Sequence, residues 1–149
     1  LSDRIDREAD SLYAAFEIDF EQRWFGVMNQ LVLNKKMSVG DLASALGVTH
    51  AAVSQTRSAL LERGLIATAD DPGDARRRVL GLSAAGRKLV AQLTPLWTAL
   101  NEAARELDRE AGGVVEALAR MEDALEKRSL TARVRAKIDA RKKKGGHAA

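Results

Sequence analysis

The chain has 149 residues, 46% of them apolar and 30% charged, enough for one domain with a real core and too few for two ordinary ones. Cysteine is absent, and the only histidines, His50 and His147, are far apart. This excludes disulfides, thiolate chemistry and sulfur-ligated zinc, and leaves no spacing that points to a metal or a cofactor.

The net charge of +3 conceals a segmented pattern. Residues 1–48 carry 5 Lys/Arg against 8 Asp/Glu and residues 91–130 again 5 against 8. Residues 49–90 carry 7 against 4, and residues 131–149 carry 7 against 1. A phosphate-bearing partner is steered to the two basic segments. The run Arg141 to Lys144 equally fits a solvated end. No stretch approaches the roughly 18 apolar residues of a membrane span, and no cleavable signal pattern opens the sequence, so a soluble cytoplasmic protein is the expectation.

In chain order, Leu1, Ile5, Ala9, Leu12 and Phe16 follow a helical period, predicting a helix from Leu1 to about Phe16. After a break at Glu17–Asp19, a second helix is expected over Glu21–Leu33, with Trp24, Val27, Met28 and Leu31 on one face. A polar connection, Asn34–Lys36, leads to Ser38, a good N-cap whose partner three residues on, Asp41, resembles a capping box. Leu42, Ala45 and Leu46 should form that helix's inner face, and Gly47 its left-handed end. Thr49 then caps a helix to Arg63, ended by Gly64, and two helices so tightly joined form a helix-turn-helix.

Beyond Gly64 the pattern turns to short strands, Leu65–Thr68 and Arg77–Leu82, with the turn Asp70–Asp74 between them. Ser83 caps a helix to about Asp108, in which Pro95 is expected to introduce a kink. Gly112 and Gly113 break the chain, a last helix runs from Val114 to about Ala140, and Gly145–Gly146 releases the tail. The expected fold is mostly α with a small β-hairpin wing, a winged helix-turn-helix lobe flanked by long helices.

At 100° per residue, Val53, Thr56 and Leu60 fall on one side of the Thr49–Arg63 helix, and Ala51, Ser54, Gln55 and Ser58 on the other. The second face is small and polar, with no acid before Glu62. It suits entry into a major groove, where Gln can pair with adenine, and it also suits plain solvent. The basic ribbon that follows, Asp74 with Arg76, Arg77 and Arg78, suits a narrow minor groove, because the guanidinium is planar and weakly hydrated. Helix and ribbon together favour double-stranded DNA over a solvated surface.

These residues resemble the MarR family of bacterial winged-helix regulators. The resemblance lies in Ser38-Val-Gly-Asp-Leu-Ala43, Gly47-Val-Thr-His-Ala-Ala-Val-Ser-Gln55 and Leu60-Leu-Glu-Arg-Gly-Leu-Ile66. It continues through Asp71-Pro-Gly-Asp-Ala-Arg76 and Leu80-Gly-Leu-Ser-Ala-Ala-Gly86. It implies one domain over residues 1–144, with a winged lobe at about 36–90, dimerisation helices at 1–33 and 91–140, and a disordered tail at 145–149. It further implies a homodimeric repressor on a pseudo-palindromic operator, released by a small aromatic effector. Thr49, His50, Ser54, Gln55 and Ser58 would then face DNA, Arg76 would reach the minor groove and Asp74 would orient it, while the roles of Arg77 and Arg78 stay open. Gln55 stands where many members have Arg. Arg57 stands where an apolar residue is usual, and either reaches a phosphate or marks altered packing.

Five of the six aromatic residues crowd into one short stretch: Tyr13, Phe16, Phe20, Trp24 and Phe25. They serve either as core and dimer packing or, for Tyr13, Phe16, Phe20 and Trp24, as the wall of an effector pocket. The spacing Gly81 to Gly86 imitates a phosphate-binding loop, but Arg87 and Lys88 replace its Lys and hydroxyl residue. With no G-x-S-x-G motif and no Cys, an enzyme is not expected. Rival readings are a winged-helix protein-interaction module and, because Leu1–Trp24 is similar to a subgroup fused to acetyltransferases, a regulatory fragment of such a fusion.

Overall fold

A computed structural model describes residues 1–71 and 74–145. The elements are α1 (Ser2–Ala15), a 3-10 turn (Gln22–Trp24), α2 (Phe25–Asn34), β1 (Lys36–Met37), α3 (Val39–Leu46), α4 (His50–Glu62), β2 (Ile66–Asp71), β3 (Asp74–Leu82), α5 (Ala84–Glu110), α6 (Val114–Lys127) and α7 (Leu130–Gly145). They divide into two compact units, residues 1–100 and 101–149.

In the first unit, capping chemistry fixes where helices start. The Ser38 hydroxyl accepts the Asp41 N–H at 3.2 Å, and an Asp41 carboxylate oxygen accepts the Ser38 N–H at 3.1 Å, closing a reciprocal capping box. Gly47 ends α3 in the left-handed region at φ 64°, where a side chain would be strained. At the head of α5, the Ser83 hydroxyl accepts the Gly86 N–H and donates to the Gly64 carbonyl, stitching the helix to the start of β2. The packing there is so close that a Cβ on Gly86 would lie 2.0 Å from the Leu65 carbonyl oxygen.

The strands form one antiparallel sheet in the order β1-β3-β2, with Met37 opposite Leu80 and Thr68 also opposite Leu80, on the other edge of β3. The strand β1 lies where the sequence led us to expect a polar connection. Two residues carry no strand signal of their own, and pairing with β3 makes them one. Both hairpin strands are longer than expected, because the cross-strand ladder extends pairing towards the turn.

The second helix likewise resolves into a 3-10 turn and a shorter α2. In α3 the expected inner residue Ala45 is exposed; Ala43 is buried beside Leu42, with Leu46 half-buried. Pro95 lies within α5, which is one continuous helix across it, while the hydroxyls of Thr94 and Thr98 bond carbonyls one turn back.

The core gathers Tyr13, Phe20, Trp24, Met28, Leu31, Leu42, Val53, Leu60, Ile66, Leu80 and Leu93, one or more from each of α1, α2, α3, α4, β2, β3 and α5. Its aromatic centre stacks edge to face, with Tyr13 against Phe20 at 4.9 Å, Phe20 against Trp24 at 5.7 Å and Phe20 against Trp97 at 5.7 Å between ring centroids. The Trp97 N–H donates to the Tyr13 hydroxyl at 3.1 Å, which donates to the Gln22 side-chain amide oxygen Oε1 at 2.8 Å. Burial pushes the Tyr13 pKa up, against the hydrogen bond from Trp97, and the nearby Asp10 charge adds to the rise.

In the second unit the expected single last helix is two. The chain breaks at Arg128, which is extended, and Ser129 caps α7 by accepting the Ala132 N–H. Gly112 and Gly113, at φ 83° and 77°, supply the expected break before α6. Helix α7 runs to Gly145, which was expected to begin the tail 145–149; residues 146–149 of that tail lie outside the described residues.

Candidate nucleic-acid interface

The candidate interface is built on α4. Thr49, in extended conformation, accepts the Ala52 N–H at 3.2 Å and starts the helix. Val53 and Leu60 are buried and Thr56 half-buried, which seats one face of α4 on the core and so decides which face remains outside. Thr49, His50, Ala51, Gln55 and Ser58 are exposed on the side expected, while Ser54 is half-buried at its edge.

Two of these residues are held in place. A Cβ on Gly40 would lie 3.5 Å from His50 Cε1 and Nε2, so the imidazole is packed over the first turn of α3. The Ser58 hydroxyl donates to the Ser54 carbonyl at 3.0 Å, leaving its lone pairs to accept from a partner. Arg57 is half-buried, and its Nε is shielded without a hydrogen-bond partner. An unpaired N–H shielded in this way costs free energy, and as placed this Nε is closed to an external phosphate.

At the far end of α4, Arg63 lays its guanidinium 4.7 Å over the Trp24 ring and pairs with Asp19. The end of the helix is thus tied to the loop after α1. Sequence reasoning missed Arg63, whose partner lies 44 residues away.

On the hairpin, Arg78 pairs with Asp70 across the strands at 2.9 Å, both side chains well exposed. It therefore links the two strands near the turn of the ribbon. The side chains of Asp74, Arg76 and Arg77 lie outside the described residues.

Of the four aromatic residues that suited either core and dimer packing or a pocket wall, three share the core and Phe16 does not. Tyr13, Phe20 and Trp24 are packed ring to ring in the core, whereas Phe16 is 63% exposed at the rim of a different cleft beside Arg63 and Leu89. A second cleft, of about 520 Å³, opens between α2, β3 and α5. Leu31, Leu82 and Val90 form its apolar wall, and Lys35, Lys36 and Arg87 bring three cations to it. The Arg87 guanidinium donates to the Leu82 carbonyl at 2.8 Å, which fixes its orientation. Nothing local in the sequence marks this cleft, because its cations come from segments some 50 residues apart. Among the described residues no cluster of His, Asp and Glu fits a metal ion, and no helix is long and apolar enough to cross a membrane.

A helix-turn-helix followed by a two-stranded ribbon on a three-stranded sheet is a winged helix, and residues 18–77 match the model of the MarR family. Over this segment, less than half of the chain, the sequence is similar to the MarR family. Its members are transcription regulators, not enzymes. Solved structures extend the likeness beyond the matched segment. The Staphylococcus aureus MepR–DNA complex is 24% identical with a TM-score of 0.68, over 83% of this chain and 92% of that one. A mutant Escherichia coli MarR complexed with operator DNA is 18% identical with a TM-score of 0.66, over 83% and 87%. Bordetella bronchiseptica BpsR, described in terms of regulation of its DNA binding by 6-hydroxynicotinic acid, is 23% identical with a TM-score of 0.61, over 80% and 93%. No curated protein matches the sequence.

Proposed function

We propose that this protein is a homodimeric, cytoplasmic MarR-family repressor that reads a pseudo-palindromic operator and releases it on binding an aromatic effector. The observation that carries the DNA reading is the exposed, acid-free face of α4, pinned outward by the burial of Val53 and Leu60. Thr49, His50, Ala51, Gln55 and Ser58 enter the major groove, Gln55 specifying an adenine by a bidentate contact. The N-terminal N–H groups of α4 take phosphates. Arg76 of the ribbon would reach the minor groove with Asp74 as its orienting partner, and Arg78 is paired with Asp70.

The effector reading is supported by the cleft between α2, β3 and α5. Three cations beside an apolar wall select an aromatic ring bearing a carboxylate. Such a ligand would touch β3 and α2 together and so bias the sheet against the helices that position α4.

Selection of bound sites from random duplex DNA tests the reading, because it reports affinity, symmetry and spacing at once. The expected result is a two-fold symmetric site whose binding weakens steeply with salt. Gln55→Ala should alter the base preferred at one position in each half-site, and Arg76→Ala should weaken all sequences alike. Failure to retain any duplex at about 50 mM salt, where counterion release strongly favours binding, overturns the assignment.

A further inference from the structure

Helix α7 stands apart from the other helices in its charge. Leu130 to Gly145 includes Arg133, Arg135, Lys137, Arg141 and Lys142 to Lys144 against the single acid Asp139. Helices α1 and α6 each carry an ion pair one turn apart, Arg4–Glu8 at 2.8 Å and Arg120–Glu116 at 2.6 Å, whereas none is found in α7 among the described residues. Arg133, Lys137 and Arg141 succeed one another at intervals of four residues, the spacing at which like charges destabilise a helix.

The first of the three is already used. Arg133 donates to the Ala124 carbonyl at 2.6 Å and to the Arg128 carbonyl at 3.0 Å, closing the C-terminal end of α6 and fixing the corner between the two helices. Lys137 and Arg141 are exposed and have no such task.

We propose that α7 is a second phosphate-binding element, which holds the backbone of duplex DNA through Lys137 and Arg141. A polyanion relieves the repulsion along the helix and meets no acid except Asp139. Contacts from Lys137 and Arg141 to phosphates position the protein on the duplex and carry no sequence information. Helix α7 also contains no aromatic residue, and its large apolar side chains are confined to Leu130, Val134 and Ile138, a poor match to the large apolar face of a membrane-surface helix. The inference rests on the DNA reading above and adds a contact made outside the winged lobe.

The test is the affinity of the full chain and of K137Q/R141Q for mixed-sequence duplex DNA over a range of salt concentrations. Loss of two phosphate contacts should reduce the log–log salt slope by about 1.8 per chain, at about 0.9 per contact. The selected site should stay the same, and K137R/R141K should keep the native slope. An unchanged slope in K137Q/R141Q, with native circular dichroism, overturns the proposal while leaving the DNA reading intact. Failure of the native chain to bind any duplex overturns the DNA reading itself. If the same substitutions abolish binding to phosphatidylserine vesicles and leave the DNA slope alone, the partner is a lipid surface and the proposal is wrong.

Discussion

Within residues 1–100, the large side chains of Tyr13, Trp24, Met28, Leu31 and Leu93 are sealed from solvent. Within residues 101–149, Leu107, Val115, Leu118, Met121 and Leu130 are each more than half exposed. Both stretches have amphipathic helices, so the difference lies in what each helix meets. The first unit folds its helices over one another and over a sheet and seals one core, while Leu1, Phe16 and Leu33 remain more than half exposed. The second offers a seam, Val114, Leu118, Met121 and Leu125, repeating every three to four residues along α6 in the manner of a coiled coil. One sealed core and one exposed apolar seam are what the homodimer proposed above would lead one to expect.

The sharpest way to break this contrast is at the tightest contact of the first unit. Gly86→Ala would force a Cβ to within 2.0 Å of a backbone oxygen that cannot move without parting β2 from α5. The expected cost is about 3 kcal/mol, at the upper end for overpacking, measured as a fall in the urea midpoint with an unchanged m-value. A loss below about 1 kcal/mol would show that the junction is looser than this geometry. The second unit should respond differently. Leu118→Glu should leave the thermal transition of the lobe in place but remove roughly 2 kcal/mol of association per copy, the burial free energy of one leucine. Sedimentation at falling concentration reads this directly, and a variant as associated as the native chain would show that the seam of α6 is not the contact.

The contrast also explains what could be read from the sequence. Ser38, Asp41, Gly47 and Thr49 announce their helices because caps are local, each residue meeting a backbone group within three or four positions. The exposed side of α4 was legible for the same reason, since helical periodicity alone separates Gln55 from Val53 and Leu60. Features made by distant partners were not legible. The strand β1 exists only through pairing of Lys36 with Gly81, and the aromatic cluster is completed by Trp97, 84 residues from Tyr13. The crowding of aromatic residues near Phe20 therefore resembled a pocket wall until the ring supplied by α5 closed it into core. The division between α6 and α7 carries no Gly or Pro, and Ser129 was its only signal.

A smaller substitution compares the two units at equivalent positions. Ser38 and Ser129 both cap helices, but Ser38 is buried and shares its carboxylate partner, whereas Ser129 is exposed. Ser38→Ala should cost about 1–2 kcal/mol and Ser129→Ala only a few tenths, because water replaces the lost bond at the exposed cap. Equal losses in chemical denaturation would mean that burial does not separate the caps.

The smallest expected effect concerns the proton on Tyr13. Burial raises its folded-state pKa above the ordinary tyrosine value of 10.0, so the folded lobe retains the proton at a pH where the unfolded chain releases it. The corresponding stability is fully present below pH 10 and is lost as pH rises through the unfolded and then the folded pKa. Native protein should therefore show a Tm that declines more steeply above pH 10 than that of Tyr13→Phe, which has no proton to lose there. The substitution also removes the hydroxyl that joins Trp97 to Gln22, so its Tm at neutral pH should be lower, and the two curves should converge as pH increases. Parallel curves would mean that the phenol titrates equally in both states, and that the ring lies nearer to solvent than its edge-to-face contacts with Phe20 imply.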